Sequence, residues 1–300
     1  MNITFLGLGR MGTGMATCLA NSGEHMLTVW NRTSDKALPF AELGVRVAYD
    51  PIESVRDAEL VITSLLDDQS IEALFNEQSA MLGAMRPGAI HLCVTTISPS
   101  CANRLQALHS EHGSRYISGP VVGRPDASAA GKLVQFLAGD ESALTIASPV
   151  CSAFSKQVLL LPGPASVANS QKLCINFFVA SLLEAMGECF TLGEKLGVPR
   201  KNLASFLDLC LPLPGLNVYV ERIFKRQTNS DMGFTMTAGR KDLALMLEAA
   251  ESVQCPLDIA NVIASKMDTA IVQGMGHLDW SAIQEVTRQH AGLEAKHTSV

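Results

Sequence analysis

The chain has 300 residues, enough for two domains of ordinary size, and its 47% hydrophobic and 17% charged residues are the balance of a globular rather than a disordered protein. A net charge of -6, with lysines and arginines dispersed along the chain, excludes the nucleic-acid-binding classes, which need a basic surface. The eight cysteines form no C-x-x-C pair and fall mostly in apolar segments, so they read as reduced, buried small hydrophobes of a cytoplasmic protein.

From Asn2 to about Leu161, β-rich runs alternate with helical segments, a rhythm that implies β-α-β units and a parallel sheet. The predicted strands are Ile3 to Leu6, Met26 to Trp30, Val45 to Ala48, Leu60 to Ser64, Ile90 to Val94, Arg115 to Ser118, Val134 to Ala138 and Gln157 to Leu161. Helices fit Met11 to Ala20, Ile71 to Phe75 and Ser98 to His109, the last opened by Ser98-Pro99 as cap and first helical residue. Pro39 should shorten or kink the helix expected after Thr33. No signal peptide is expected, because the N-terminus lacks a charged region followed by an apolar one.

The character changes at Pro162-Gly163-Pro164. From Ser166 the pattern is helical, broken at Gly197-Val198-Pro199, Leu211 to Gly215, Cys255-Pro256 and Gly274-Met275-Gly276. The expected architecture is an α/β Rossmann domain over residues 1–163, then an all-helical domain over 164–300 entered by a long helix, with a loose tail from Glu294 to Val300. The most apolar stretch, Leu173 to Leu183, contains Asn176 and falls short of the about 20 residues that span a bilayer, so it reads as a buried helix and no membrane is expected.

Gly7-Leu8-Gly9-Arg10-Met11-Gly12 follows a strand and opens a helix, the context required of a dinucleotide fingerprint. The first glycine serves a tight turn, the second lets backbone approach a pyrophosphate, and the third lets helix and strand pack, while the helix N-terminus faces negative charge. NAD-binding members of this fold place a carboxylate about 20 residues on, at the end of the second strand. Here that strand ends Trp30-Asn31-Arg32-Thr33. Asn31 does not repel a 2′-phosphate, Arg32 can pair with it bidentately, and Thr33 and Lys36 add donors, so NADP(H) is expected ahead of NAD(H). The alternative for Arg32 is a solvated turn residue.

Lys172 and Asn176 are the anomalies of the first long helix. They share one face at i,i+4, with Asn169 joining at i-3. A lysine there can protonate a carbonyl oxygen, burial beside a cationic nicotinamide would lower its pKa, and Asn176 can hold the same oxygen. Spacing alone fits equally a snorkelling lysine and a satisfied core amide.

The glycine loop, Asn31-Arg32-Thr33, Thr95-Thr96-Ile97-Ser98-Pro99, Lys172 with Asn176, and Lys241-Asp242-Leu243 occur in the order of the β-hydroxyacid dehydrogenase family, which the chain resembles over nearly its whole length. That family includes 3-hydroxyisobutyrate dehydrogenase and the glyoxylate/succinic semialdehyde reductases, and is related to 6-phosphogluconate dehydrogenase. The resemblance implies hydride transfer between nicotinamide and a small aldehyde, keto acid or hydroxyacid. It implies Lys172 as general acid/base and Asn176 as substrate-orienting residue. It further implies that Thr96 lies near the nicotinamide, that Leu65 and Leu66 line the cofactor cleft, that Lys241 closes over the cofactor, and that the protein is a homodimer or homotetramer through its helical domain. Imine reductases share the Trp30 to Thr33 run but usually lack the lysine, so imine reduction is the second reading and a non-catalytic NADP-binding module the third.

Two features depart from the family. Its substrate loop ends Ser-Gly-Gly and binds a carboxylate, whereas this chain has Val122-Gly123-Arg124. Either Arg124 pairs with an acid, or the site takes a substrate without one. Ala165, Val167 and Ala168 also stand where the family is richer in glycine. No metal is expected: His109 and His112 read as a solvated helix face, and His91 has no visible partner. The Met-rich stretch Met232 to Met246 reads as helix core.

Overall fold

The computed structural model describes residues 1–76, 80–210, 217–226 and 233–293. The break at Leu211 to Gly215, the tail from Glu294 and Met232 lie outside the described residues. The chain forms two compact units, Met1–Leu173 and Cys174–Val300. Their division falls ten residues beyond the predicted boundary, because the first turns of the long helix are bonded to the sheet.

The first unit holds strands β1 (Asn2–Leu6), β2 (Met26–Trp30), β3 (Arg46–Val47), β4 (Leu60–Thr63), β5 (Ile90–Cys93), β6 (Arg115–Ser118), β7 (Val121–Val122), β8 (Leu133–Gly139) and β9 (Ser155–Leu160). Its helices are α1 (Arg10–Ser22), α2 (Pro51–Val55), α3 (Asp68–Glu72), α4 (Ala80–Ala84), α5 (Pro99–Glu111), α6 (Pro125–Ala129) and α7 (Glu141–Cys151), and the segment around Pro39 is two 3-10 turns. The strand order is β3-β2-β1-β4-β5-β6-β8-β7, with β9 on β8. Strands β1 to β6 are parallel, whereas β8 runs antiparallel to both β6 and β7, a reversal that the all-parallel expectation missed. The two-residue turn Gly119-Pro120 leaves no room for a crossover helix between β6 and β7, and the chain reverses only after β7 and α6, so that β8 inserts between β6 and β7 antiparallel to both.

Central strands are apolar on both faces, as burial between two helix layers requires. Ile3 and Phe5 join a core with Met15, Leu19 and Phe154, while Leu6 and Val61 join another with Phe75, Cys101 and Leu105. The order reverses between β1 and β4. Loops leaving their carboxyl ends diverge there and open the crevice where this fold class takes ligands.

Helix α8 (Ser166–Lys195) is continuous for 30 residues, so alanines at 165 and 168 are compatible with its path. It is long and apolar enough, by length and composition, to cross a membrane, and its apolar window is less than half buried. The expectation of a short, buried apolar segment is therefore corrected. The second unit continues with α9 (Arg200–Cys210), α10 (Asn217–Lys225), α11 (Met236–Ser252), α12 (Asp258–Val272) and α13 (Gln284–His290). Leu183, Met186 and Phe190 of α8 pack there with Met236, Met246 and Trp280. The cysteine expectation also needs correction. Cys93, Cys101 and Cys151 are buried, but Cys174, Cys189 and Cys255 are exposed free thiols.

Candidate functional site

The glycine loop is set by backbone packing. Gly7 has φ +101°, and a Cβ on it would stand 2.3 Å from Ser64 O; a Cβ on Gly12 would stand 2.1 Å from Gly7 O. Both must be glycine for β1 to turn directly into α1. Gly9 is different: a Cβ there meets nothing within 4 Å, and the residue is exposed at the helix N-terminus. The N-terminus of α1, the positive end of its dipole, therefore opens beside a residue that leaves room for close backbone approach. That cradle fits a dinucleotide pyrophosphate.

The end of β2 is bonded to this loop. Gly7 N–H donates to Trp30 O at 2.9 Å, and Leu8 N–H to Asn31 Oδ1 at 2.8 Å, while Asn31 Nδ2 donates to Thr33 O at 2.9 Å. Asn31 therefore shapes the loop from beneath, and the exposed Arg32, Thr33 and Lys36 are the side chains left to meet a ligand. No carboxylate follows β2 until Asp35.

Further along the same edge, Leu65 N–H donates to Thr95 Oγ1 at 2.8 Å, and Ser98 bonds Asp68 through its N–H at 2.9 Å and its hydroxyl at 2.5 Å. The loops after β4 and β5, carrying Leu65, Leu66 and Thr96, are thus joined. Leu66 is 68% exposed, an apolar side chain at the mouth of the crevice. On α8, Lys172 and Asn176 are buried at 9% and 7% exposure. Asn176 Nδ2 donates to Asp242 Oδ2 at 2.6 Å, and Lys241 Nζ lies 2.7 Å from Asp242 Oδ1. One carboxylate on α11 thus ties together two of the predicted site residues.

Two family models match in the order of the domains. One, described as the NAD binding domain of 6-phosphogluconate dehydrogenase, covers residues 2–163, and the other, described as NAD-binding of NADP-dependent 3-hydroxyisobutyrate dehydrogenase, covers 167–287. An uncharacterized oxidoreductase, YfjR, of Bacillus subtilis is 35% identical over 94% of this chain and 98% of its own. The chain belongs to the β-hydroxyacid dehydrogenase family. It is an NAD(P)-dependent oxidoreductase of the dehydrogenase and reductase type. An NAD-dependent L-serine dehydrogenase of Pseudomonas aeruginosa is 28% identical over 95% of this chain and 97% of its own. The structure of 3-hydroxyisobutyrate dehydrogenase from Mycobacterium tuberculosis with L-serine superposes with a TM-score of 0.84, at 27% identity, covering 96% of this chain and 99% of that one.

The loop after β6, where this chain departs from the β-hydroxyacid dehydrogenase pattern, continues into the short helix α6. Gly123 has φ +145°, and α6 is docked on α1 by the Ser128 hydroxyl, which donates to Met11 O at 2.8 Å, with Gly14 against Ser128. Arg124, which precedes α6, has its Nε buried and without a hydrogen-bond partner; the nearest carboxylate, Asp126, is 3.6 Å away. Two residues carry no functional signal of their own in the sequence: in the second unit Asp242, legible only as the middle of Lys241-Asp242-Leu243, and in the first Gly14, whose helical spacing conceals its packing role.

The histidines reverse expectation. His91 and His109 are fully buried. His91 bonds Thr63 Oγ1 through Nε2 at 2.8 Å and His109 through Nδ1 at 2.9 Å, and His109 Nδ1 reaches Ser114 Oγ at 2.7 Å. Phe75 stacks on His91 at 4.2 Å between ring centroids. Burial holds His91 well below the ordinary imidazole range and brings His109 down to about 3, so both are neutral. His109 therefore faces inward from α5, while His112 is the solvated residue. Among the described residues, no group of three or more His, Cys, Asp or Glu side chains is arranged to hold a metal ion.

Proposed function

We propose that this protein uses NADP(H) to interconvert a small aldehyde or oxo acid with its hydroxy counterpart, with Lys172 as the proton-transferring group. The observation that carries this reading is the buried pair Lys172 and Asn176, one turn apart on α8, in a chain whose glycine loop leaves space at Gly9 alone. The dinucleotide, when bound, supplies or takes up the hydride. Lys172 handles the proton: its ammonium donates to the carbonyl oxygen during reduction, and its neutral amine accepts the hydroxyl proton during oxidation. Asn176 orients the same oxygen, with its amide held by Asp242. Thr96, Leu65 and Leu66 bound the nicotinamide end, and in the second unit Lys241 is paired with Asp242. Lys172 favours a carbonyl over an imine, because a carbonyl oxygen is too weakly basic to arrive protonated and needs a donor in the site, whereas an imine nitrogen can bind already protonated as an iminium.

Arg32 supports the 2′-phosphate. It is exposed directly after β2, where a carboxylate would favour the 2′-hydroxyl instead. Arg124 supports a substrate bearing an acid, since its Nε is a buried donor with no hydrogen bond of its own. The names of the relatives, an L-serine dehydrogenase and a 3-hydroxyisobutyrate dehydrogenase, point the same way. The cysteines with described side chains are all free, in keeping with a cytoplasmic location.

A subunit contact is supported by α8. Cys174, Phe178, Ala185, Cys189 and Leu192 are exposed at heptad-like spacing. Glu184 and Glu188, bonded to Lys266, border that stripe, a polar rim that suits a homo-oligomer better than a bilayer.

The test is steady-state kinetics with succinic semialdehyde, glyoxylate and tartronate semialdehyde. Expected are a higher kcat/KM with NADPH than NADH, a loss of that preference in Arg32→Ala, and a collapse of kcat in Lys172→Ala. An NADH preference would refute the cofactor assignment, and full turnover by Lys172→Ala the proton-transfer role. Arg124→Gly should raise KM for the acid-bearing aldehydes while sparing apolar ones.

A further inference from the structure

The face of α8 that presents Lys172 is bonded to the sheet by one amide. Asn169, fully buried, donates from Nδ2 to Ser118 Oγ at 2.8 Å and accepts at Oδ1 from Ile97 N–H at 3.4 Å. Ser118 closes β6, and Ile97 lies in the loop after β5. These strands are neighbours in register there, Cys93 opposite Ser118. The loop holding Ile97 is itself fixed through Thr95 to Leu65 and through Ser98 to Asp68. Ser118 is also fully buried, bonded onward to the Tyr116 hydroxyl at 3.4 Å. Lys172 follows three residues later, on the same helix face and roughly 4.5 Å along the axis.

We propose that Asn169 is the positioning residue of Lys172: by tying α8 to Ser118 and Ile97, it sets the roll and height at which the lysine is presented. The assignment rests on the reading of Lys172 as proton donor. A buried amide suits the task because it offers a donor to the end of β6 and an acceptor to the loop after β5 without a charge that would compete for the ammonium. Alanine at 169 would sever both tethers at once, leaving Ser118 Oγ and the Ile97 N–H without that partner. The helix would keep its own hydrogen bonds and lose only its fixed seat.

The experiment is a double-mutant cycle on the full-length protein, with NADPH oxidation by succinic semialdehyde and glyoxylate as the assay and NADPH affinity read by fluorescence. Asn169→Ala should lower kcat roughly 30- to 100-fold, as expected when a reacting group moves by about an ångström. NADPH Kd should stay within about threefold, and Ser118→Ala should show the same split to a smaller degree. In the Lys172→Ala background, Asn169→Ala should cost no more than about twofold further, because the two residues act as one unit. Equal fold losses in both backgrounds would overturn the proposal, as would an unchanged kcat in Asn169→Ala. A second measurement needs no substrate: the pH dependence of Lys172 acetylation by acetic anhydride, followed by mass spectrometry. Asn169→Ala should move its midpoint by at least about half a pH unit, and an unmoved midpoint would also overturn the proposal. Full turnover by Lys172→Ala alone would instead retire the proton-donor reading, leaving Asn169 to be judged by the acetylation midpoint.

Discussion

Adding one methyl group at Gly9 or at Gly12 should have opposite consequences, although the two residues are three apart in one loop. At Gly12 the new carbon would lie 2.1 Å from Gly7 O and 3.1 Å from both Gly7 C and Ser64 Oγ. Gly7 cannot retreat, because its N–H is bonded to Trp30 O and its α-carbon faces Ser64 O. Overpacking of this kind costs about 3 kcal/mol at the upper end of its range, and alanine in a helix interior returns about 1 kcal/mol. The net loss of about 2 kcal/mol lowers Tm by roughly 4–8 °C for a unit of this size. At Gly9 the methyl meets no protein atom, and the backbone is at φ -76°, open to any residue. Gly9→Ala should therefore melt within about 3 °C of the wild type, since the weaker cap and the stiffer unfolded chain nearly offset. It should nevertheless bind NADPH at least about tenfold more weakly, equivalent to about 1.4 kcal/mol. Differential scanning fluorimetry of the free protein and isothermal titration with NADPH separate the two effects. Unchanged NADPH affinity in Gly9→Ala would refute the idea that the space before α1 is where the pyrophosphate approaches.

Asp242→Ala should reduce kcat/KM by at least about tenfold and lower stability by about 1–3 kcal/mol, because it leaves the buried Asn176 amide unpaired; Asp242→Asn should be milder on both counts in the same assays. Acid should weaken the fold through the histidine pair. His109 has its pKa depressed from 6.5 to about 3 in the folded state, so the unfolded chain binds the proton first and stability falls as pH drops below about 6.5, continuing down to about 3. From pH 7 to pH 5 that amounts to about 2 kcal/mol, to be read from urea unfolding, and His109→Gln should flatten the slope. Charge on the exposed stripe of α8 tests the proposed subunit contact: the wild type should give a dimer or tetramer mass by light scattering and Phe178→Asp with Leu192→Asp the monomer mass, with the far-ultraviolet spectrum retained.

Much of the nucleotide-binding half was legible in the chain because its signals are local. Strand, glycine turn and helix N-terminus are consecutive in sequence, so Gly7, Gly9 and Gly12 announce their geometry, and the strand ends at Trp30 and Ser118 were met to the residue. The antiparallel return of β8 was less visible, because its direction depends on which strands it inserts between after β7 and α6. The five-residue α6 carries too few periodic positions to stand out.

The histidines show where local reading stops. His109 and His112 look alike on a polar helix end, yet only the rotation of α5 against β5 decides that one of them meets His91, Thr63 and Ser114 in a buried chain. Lys172 and Asn176 were recognisable as anomalies and as family positions, since helical spacing places them on one face whatever surrounds them. Their supports were not. Asn169 gains its partners at Ser118 and Ile97 across 51 and 72 residues, and Asn176 meets Asp242 across 66. The sequence by itself determined which chemical groups are present and which of them share a turn or a helix face, because those relations depend only on backbone periodicity. Tertiary structure alone decided which buried polar groups hold them in place, because hydrogen-bond partners are chosen by how the elements pack.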